Sequence, residues 1–256
     1  MTDIKASDCR ARPQLTLEDL GYLPEQVKEV AAMADSSPGL RIISGVTGSG
    51  RSTAVAAVVA LAQRSNAHVV VLQDDLAPAF QGMPHIRVDA FDMSFDAERD
   101  PWDQALRQGI RSAPDLFVVG ELRDEKSIRA AFELVASGYS VWTTVVAASA
   151  NDTLRRLRSM CVKSIDDLLF SPSVVTGLIH HIHAPKESGG YQILAEVIRP
   201  NEDYLFTYRM HGAEAARTRW MQCPGRLTHR EVALRKVQEG LLDPGWWDQH
   251  FNSSAT

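Results

Sequence analysis

The densest chemistry in the chain lies in nine residues, Gly45-Val46-Thr47-Gly48-Ser49-Gly50-Arg51-Ser52-Thr53. Three glycines at this spacing let the backbone turn its N–H groups inward, because glycine tolerates positive φ. Such a nest holds phosphate oxygens, and a helix starting at its end adds its positive pole. The order is that of the G-x-x-x-x-G-K-[ST] phosphate loop, with Arg51 in the lysine position. Gly45, Thr47, Gly48, Ser49, Gly50, Arg51, Ser52 and Thr53 then form the candidate nucleotide-binding set. Ser52 would place a hydroxyl on a magnesium ion, and residue 51 would reach the β- and γ-phosphates. Arginine keeps the charge but presents a planar fork where lysine has a compact ammonium. Binding tolerates that exchange better than catalytic geometry does. The plainer alternative is an ordinary glycine-rich turn between a strand and a helix.

A second candidate is Glu121, which follows the apolar run Asp115-Leu116-Phe117-Val118-Val119-Gly120. Phosphoryl-transfer sites need a carboxylate near metal and attacking water, supplied by a second strand end. A strand followed by a charged loop is the alternative. His180, His181 and His183 are expected at a helix end. No Cys or Glu joins them at a metal-ligand spacing, so they read as a surface or interface cluster. Arg155, Arg156 and Arg158 read as a solvated basic face on a helix capped by Asn151. An acidic partner or nucleic acid is the second reading, without the interleaved aromatics of single-strand binders. Trp246, Trp247 and Phe251 suit either core packing or partner docking.

These groups need elements to hold them. Leu40–Ser44 reads as a strand before the glycine loop, and Ser52–Gln63 as a buried helix after it. His68–Leu72, Asp115–Gly120 and Ser140–Val146 read as further buried strands. Helices are expected over Pro24–Ala34, Trp102–Ile110 and Lys126–Ala136, the last stopped by Gly138. Residues 1–14 read as loose, Ser36-Ser37-Pro38-Gly39 as a turn, and 76–100 as irregular around Ile86-Arg87-Val88. A helical pair over 164–182, strands over Tyr191–Val197 and Tyr204–Tyr208, and a helix over Thr228–Glu239 complete the pattern. Continuous apolar strands alternating with helices predict an α/β fold with a mostly parallel sheet.

The 256 residues, 45% of them hydrophobic, suffice for one large domain with appendages. A formal net charge of −5 argues against a protein that coats nucleic acid, and no direct nucleic-acid binding is expected. Cys9, Cys161 and Cys223 are odd in number and widely spaced, which points to a reducing compartment. With no apolar run near bilayer length and no leader-like start, a cytoplasmic location is expected. Peripheral membrane attachment stays open.

Four stretches resemble one family. Ala113 to Asp124 is similar to the atypical Walker B segment of the type II/type IV secretion and type IV pilus ATPases, the GspE/PilT type. Trp102 to Arg111, Gly138 to Val145, and Leu17 to Tyr22 with Pro38-Gly39-Leu40 are also similar to it. The Thr143-Thr144-Val145 form leans towards the conjugation and Dot/Icm-like branch. The resemblance spans roughly residues 15–200 and implies a RecA-like P-loop core using ATP and Mg2+. It implies assembly as a hexamer on the cytoplasmic side of a membrane apparatus, at an inner-membrane platform protein. It places Ser52, with Asp74, at the metal, and Glu121 at the catalytic carboxylate. Arg107 and Arg111 fall where the family contacts a neighbouring subunit's phosphates, or else are solvated helix charges. The expected layout is a tail and lead-in helix over 1–36, the RecA-like domain over 37–200 and a helical C-terminal extension over 201–256. Residues 1–35 are too short for the family's amino-terminal domain.

The chain departs from the family at one site. The family's Glu-Asp-Pro-x-Glu reads Gln73-Asp74-Asp75-Leu76-Ala77, a histidine has become Val146, and lysine has become Arg51. His181 stands in a stretch that usually carries glutamine. Each change removes or reshapes a polar contact to the reacting phosphate. Two expectations follow: a motor subunit coupling ATP to pilus assembly, conjugation or secretion, or a degenerate nucleotide-binding subunit joining an active paralogue. A RecA-like protein acting on DNA is the third.

Overall fold

Apolar runs without polar alternation must be covered on both faces, and this chain supplies the cover. A computed structural model describes residues 15–34, 38–74, 78–88 and 100–252. Its seven strands are β1 (Gly39–Gly45), β2 (Val69–Gln73), β3 (His85–Arg87), β4 (Leu116–Glu121), β5 (Ser140–Val146), β6 (Val175–Pro185) and β7 (Tyr191–Ile198). They form one sheet in the order β3-β2-β4-β5-β1-β6-β7. All neighbours are parallel except β6 and β7, which pair antiparallel as a hairpin.

Alternate residues of the strands feed two cores, as the period of two requires. Leu40, Ile42, Phe117, Val119 and Val141 face one layer; Ile43, Val71, Val118, Trp142 and Ile179 face the other. The first layer holds α4 (Pro101–Arg111), α5 (Glu125–Ala136), α6 (Ala150–Ser159), α7 (Asp166–Leu169), α8 (Glu202–His211) and α9 (Ala213–Met221). The second holds α1 (Leu17–Leu20), α2 (Pro24–Ala34) and α3 (Arg51–Arg64). α3 is Ala- and Val-rich, and that small-residue surface is buried from Ala54 to Val59 and again at Ala62. α10 (His229–Gln238) and α11 (Pro244–Trp247) close a third, smaller core with Leu23, Ala184 and Leu194, and Trp246, Trp247 and Phe251 pack against it. The tail aromatics are therefore core packing.

Three expectations are corrected. The helical pair over 164–182 is the short α7 followed by the eleven-residue β6, so the histidines lie on a strand. The strand over Tyr204–Tyr208 is helix α8, capped by the Asn201 side chain on the Tyr204 N–H at 2.8 Å. Ser149, rather than Asn151, caps α6; Asn151 lies inside the helix and donates to Glu214 at 2.8 Å. The expected loose segment 1–14, Ser36 and Ser37 of the expected turn, Asp75 to Ala77 and most of the irregular 76–100 stretch fall outside the described residues.

Candidate functional site

β1 delivers the glycine loop and α3 begins at its end, at Arg51. Glycine is required sterically. A Cβ on Gly45 would sit 2.4 Å from Ser49 Oγ and 2.9 Å from the His181 carbonyl oxygen. Gly50 has φ 81°, and its Cβ would meet Ile193 Cδ1 at 2.7 Å. α3 has no side-chain cap, so its first N–H groups face the loop without a side-chain acceptor. Thr47 and Gly48 are exposed, Ser49 and Arg51 are buried, and Ser52 and Thr53 are half-buried.

The loop leans on β6. Burial drives the His181 imidazole down to about 3, and burial also pushes the Tyr22 hydroxyl far above its ordinary value. His181 is therefore neutral and Tyr22 protonated, which fixes the donors. The Tyr22 hydroxyl donates to Nε2 at 2.5 Å, and Nδ1–H donates to the Ser49 carbonyl at 3.2 Å. His180 stands next along the strand. Its Nδ1 lies 3.1 Å from Ser44 Oγ, which accepts from Thr153 Oγ1 at 2.8 Å. His180 and His181 are buried and His183 is exposed, so the surface-cluster expectation fails for the first two. Tyr22 and His181 both lie in family-like stretches of the sequence, but their contact with each other and with the loop joins residues remote in the chain and was not legible there.

β4 brings Glu121 to the loop. β5 lies between β1 and β4, with Gly45 paired to Val146 and Glu121 paired to Thr144. The β4–β5 register shifts between Val118 and Glu121, and Thr143 Oγ1 donates to the Gly120 carbonyl at 2.7 Å. This irregularity sets the direction of Glu121. Its Oε2 accepts from Arg51 Nη2 at 3.1 Å, with the Arg51 side chain 9% exposed and that of Glu121 38%. Arg51 Nη1 is buried without a hydrogen-bond partner, and so is Ser49 Oγ. Burial pulls the guanidinium below its ordinary value while Glu121 pulls it back up.

The end of β2 abuts the same strand, since a Cβ on Gly120 would meet Gln73 Cγ at 2.7 Å. Asp74 follows and is ion-paired to Arg123. Asp75, Leu76 and Ala77 lie outside the described residues. A divalent cation is poorly served by this donor set. Glu121 and Asp74 are each held by a guanidinium, leaving the Ser52 hydroxyl as the remaining expected protein ligand. Among the described residues no three His, Cys, Asp or Glu side chains are grouped to hold a metal.

Arg107 and Arg111 are one turn apart on α4, and both are exposed. Gly109 between them lets the helix press on β4, where a Cβ would stand 2.7 Å from the Phe117 ring. Arg155 and Arg158 pair with Asp152 and Asp166, which fits the solvated basic face. No helix among the described residues is long and apolar enough to cross a membrane.

A family profile described as "Type II/IV secretion system protein" matches residues 9–242. A putative type II secretion system protein E of Escherichia coli K12 is 28% identical over 152 residues, covering 59% of this chain and 29% of the relative. The type IV pilus assembly ATPase PilB of Acinetobacter baylyi is 29% identical over 157 residues, covering 61% and 26%. The chain thus matches less than a third of the length of these two relatives. The ATPase DotB of Legionella pneumophila superposes with a TM-score of 0.73 at 20% identity, covering 94% of this chain and 66% of that one. The pilus retraction motor PilT with bound ADP superposes at 0.71 and 19% identity, covering 94% and 67%. The fold is that of the RecA-like secretion ATPases.

Proposed function

Since the chain belongs to the type II/IV secretion system protein family, we propose that it is a nucleotide-binding subunit of a secretion, conjugation or type IV pilus machine that turns over ATP slowly. The backbone N–H groups of Gly45 to Thr53 hold the phosphates, with the α3 N-terminus adding its positive pole. Arg51 supplies the fixed charge. Glu121 is the carboxylate to orient water, and Arg107 and Arg111 reach the phosphates of a neighbouring subunit. The assembly is a hexamer of this chain or a mixed ring with an active paralogue, on the cytoplasmic face of the inner membrane against a platform protein.

The Arg51–Glu121 ion pair carries the low-turnover reading. Phosphoryl transfer depends on positioning and on charges aimed at the transferring group. A carboxylate that already accepts from a guanidinium has fewer lone pairs for a water. Val146, half-buried and paired to Gly45, adds no polar contact at the γ-phosphate side. The glycine cradle, and Glu121 at the end of β4, support the motor reading.

Steady-state ATP turnover of the purified chain tests this, beside Arg51→Lys and Val146→His. We expect turnover about 100-fold or more below that of an ordinary member of the family, rising in the double variant. Family-like turnover in the unmodified chain overturns the reading in favour of the motor.

A further inference from the structure

We propose that this site binds its nucleoside di- or triphosphate without a divalent cation, the Arg51 guanidinium bridging Glu121 and the phosphates where a metal otherwise would. The proposal rests on the nucleotide-binding reading above and concerns the charge that accompanies the ligand.

Three observations carry it. Arg51 is anchored on Glu121 through Nη2 alone, and its Nη1 is buried with no partner. Buried donors are nearly always satisfied, so a buried and unpartnered one beside a phosphate loop points to a ligand oxygen. A guanidinium offers five N–H donors in a rigid fork, so one edge can hold a carboxylate while another holds a phosphate. An ammonium is a point charge and cannot divide itself in this way. Next, Ser49 Oγ is buried and unpartnered inside the loop, 2.4 Å from where a Gly45 Cβ would stand. It adds a hydroxyl donor at the cradle. Finally, the carboxylates on which a metal would depend are committed: Glu121 to Arg51 and Asp74 to Arg123. A dication entering here meets the fixed positive charge of Arg51, and both candidate carboxylates among the described residues, Glu121 and Asp74, already face a guanidinium.

The experiment is calorimetric titration of the purified chain with ATP and with ADP, once in excess magnesium and once in excess EDTA. Dissociation constants agreeing within about twofold are expected. Magnesium tightening the native chain's binding by about tenfold or more overturns the proposal. That comparison needs no variant. Arg51→Lys is expected to create the metal requirement, and metal-independent binding in that variant would contradict the bridging role. Glu121→Gln removes the charge that the guanidinium shares and is expected to tighten metal-free binding; weaker binding in EDTA than the native chain shows counts against it. No binding under either condition removes the nucleotide reading itself, a result distinct from binding that depends on magnesium.

Discussion

His181 reaches into the glycine loop only as a neutral ring. Its Nδ1–H holds the Ser49 carbonyl and its Nε2 receives the Tyr22 hydroxyl. A second proton on the ring would set two donors against each other at Nε2. His180 is likewise depressed to about 3 and His229 is lowered, in each case chiefly by burial. The unfolded chain binds protons at these positions near the ordinary value of about 6.5, while the folded chain does not. Stability is therefore fully present above pH 6.5 and is lost as pH falls towards 3. At pH 5 each of His180 and His181 costs roughly 2 kcal/mol. Denaturant unfolding at pH 7 and pH 5 should show a clear loss, and His181→Asn should reduce it; an unchanged midpoint would refute the account. The same contact predicts that Tyr22→Phe, which removes one hydroxyl that touches His181 and not the loop itself, weakens nucleotide affinity severalfold by loosening the loop. Fluorescent-nucleotide titration reads this directly, with unaltered affinity as the contrary result.

At the scale of elements, β7 and the C-terminal helices meet across a buried ion pair. Glu196 on β7 is 0% exposed and takes both Arg217 guanidinium N–H edges from α9, while the His229 N–H of α10 donates to Oε2 at 3.2 Å. Arg217→Ala strands that carboxylate and should cost about 3–5 kcal/mol in denaturant unfolding. Replacing Glu196 and Arg217 together by Leu and Met should cost much less; equal losses would mean that the pair's charge is not the issue. This contact also marks where sequence reading ends. β1, β4 and β5 were legible because unbroken apolar runs need two-sided burial, and the glycine loop because its spacing is local. β6 was not, because Leu178-Ile179-His180-His181 puts two imidazoles where an apolar run was sought. Those rings are tolerated through Ser44, Tyr22 and Ser49, each remote in sequence. α8 was read as a strand from Tyr204-Leu205-Phe206-Thr207-Tyr208, although Asn201 with Glu202 and Asp203 already formed a helix-start signal. At the site, Arg51 and Glu121 were readable as residues, whereas their pairing with each other depends on β5 lying between their strands.

At the scale of the whole molecule, α4 turns an exposed face to solvent. Arg107 and Arg111 stand one turn apart there, and neither forms an ion pair with a described residue. Two like charges on one helix face repel slightly, which offsets what Arg111 gains from the negative end of the helix. If they serve a neighbouring subunit's phosphates, nucleotide should favour assembly, because the ligand's charge is what draws two chains together. Sedimentation of the chain with and without ATP should then show a nucleotide-dependent gain in mass. The double variant Arg107→Ala with Arg111→Ala should lose that gain. Surface changes of this kind shift stability within about 0.5 kcal/mol, so the variant's melting temperature should move by no more than about 2 °C. Loss of assembly with an unchanged melting temperature would place the two arginines at a subunit boundary. Assembly that survives in the variant would leave them as solvated charges and move the boundary to another face of the sheet.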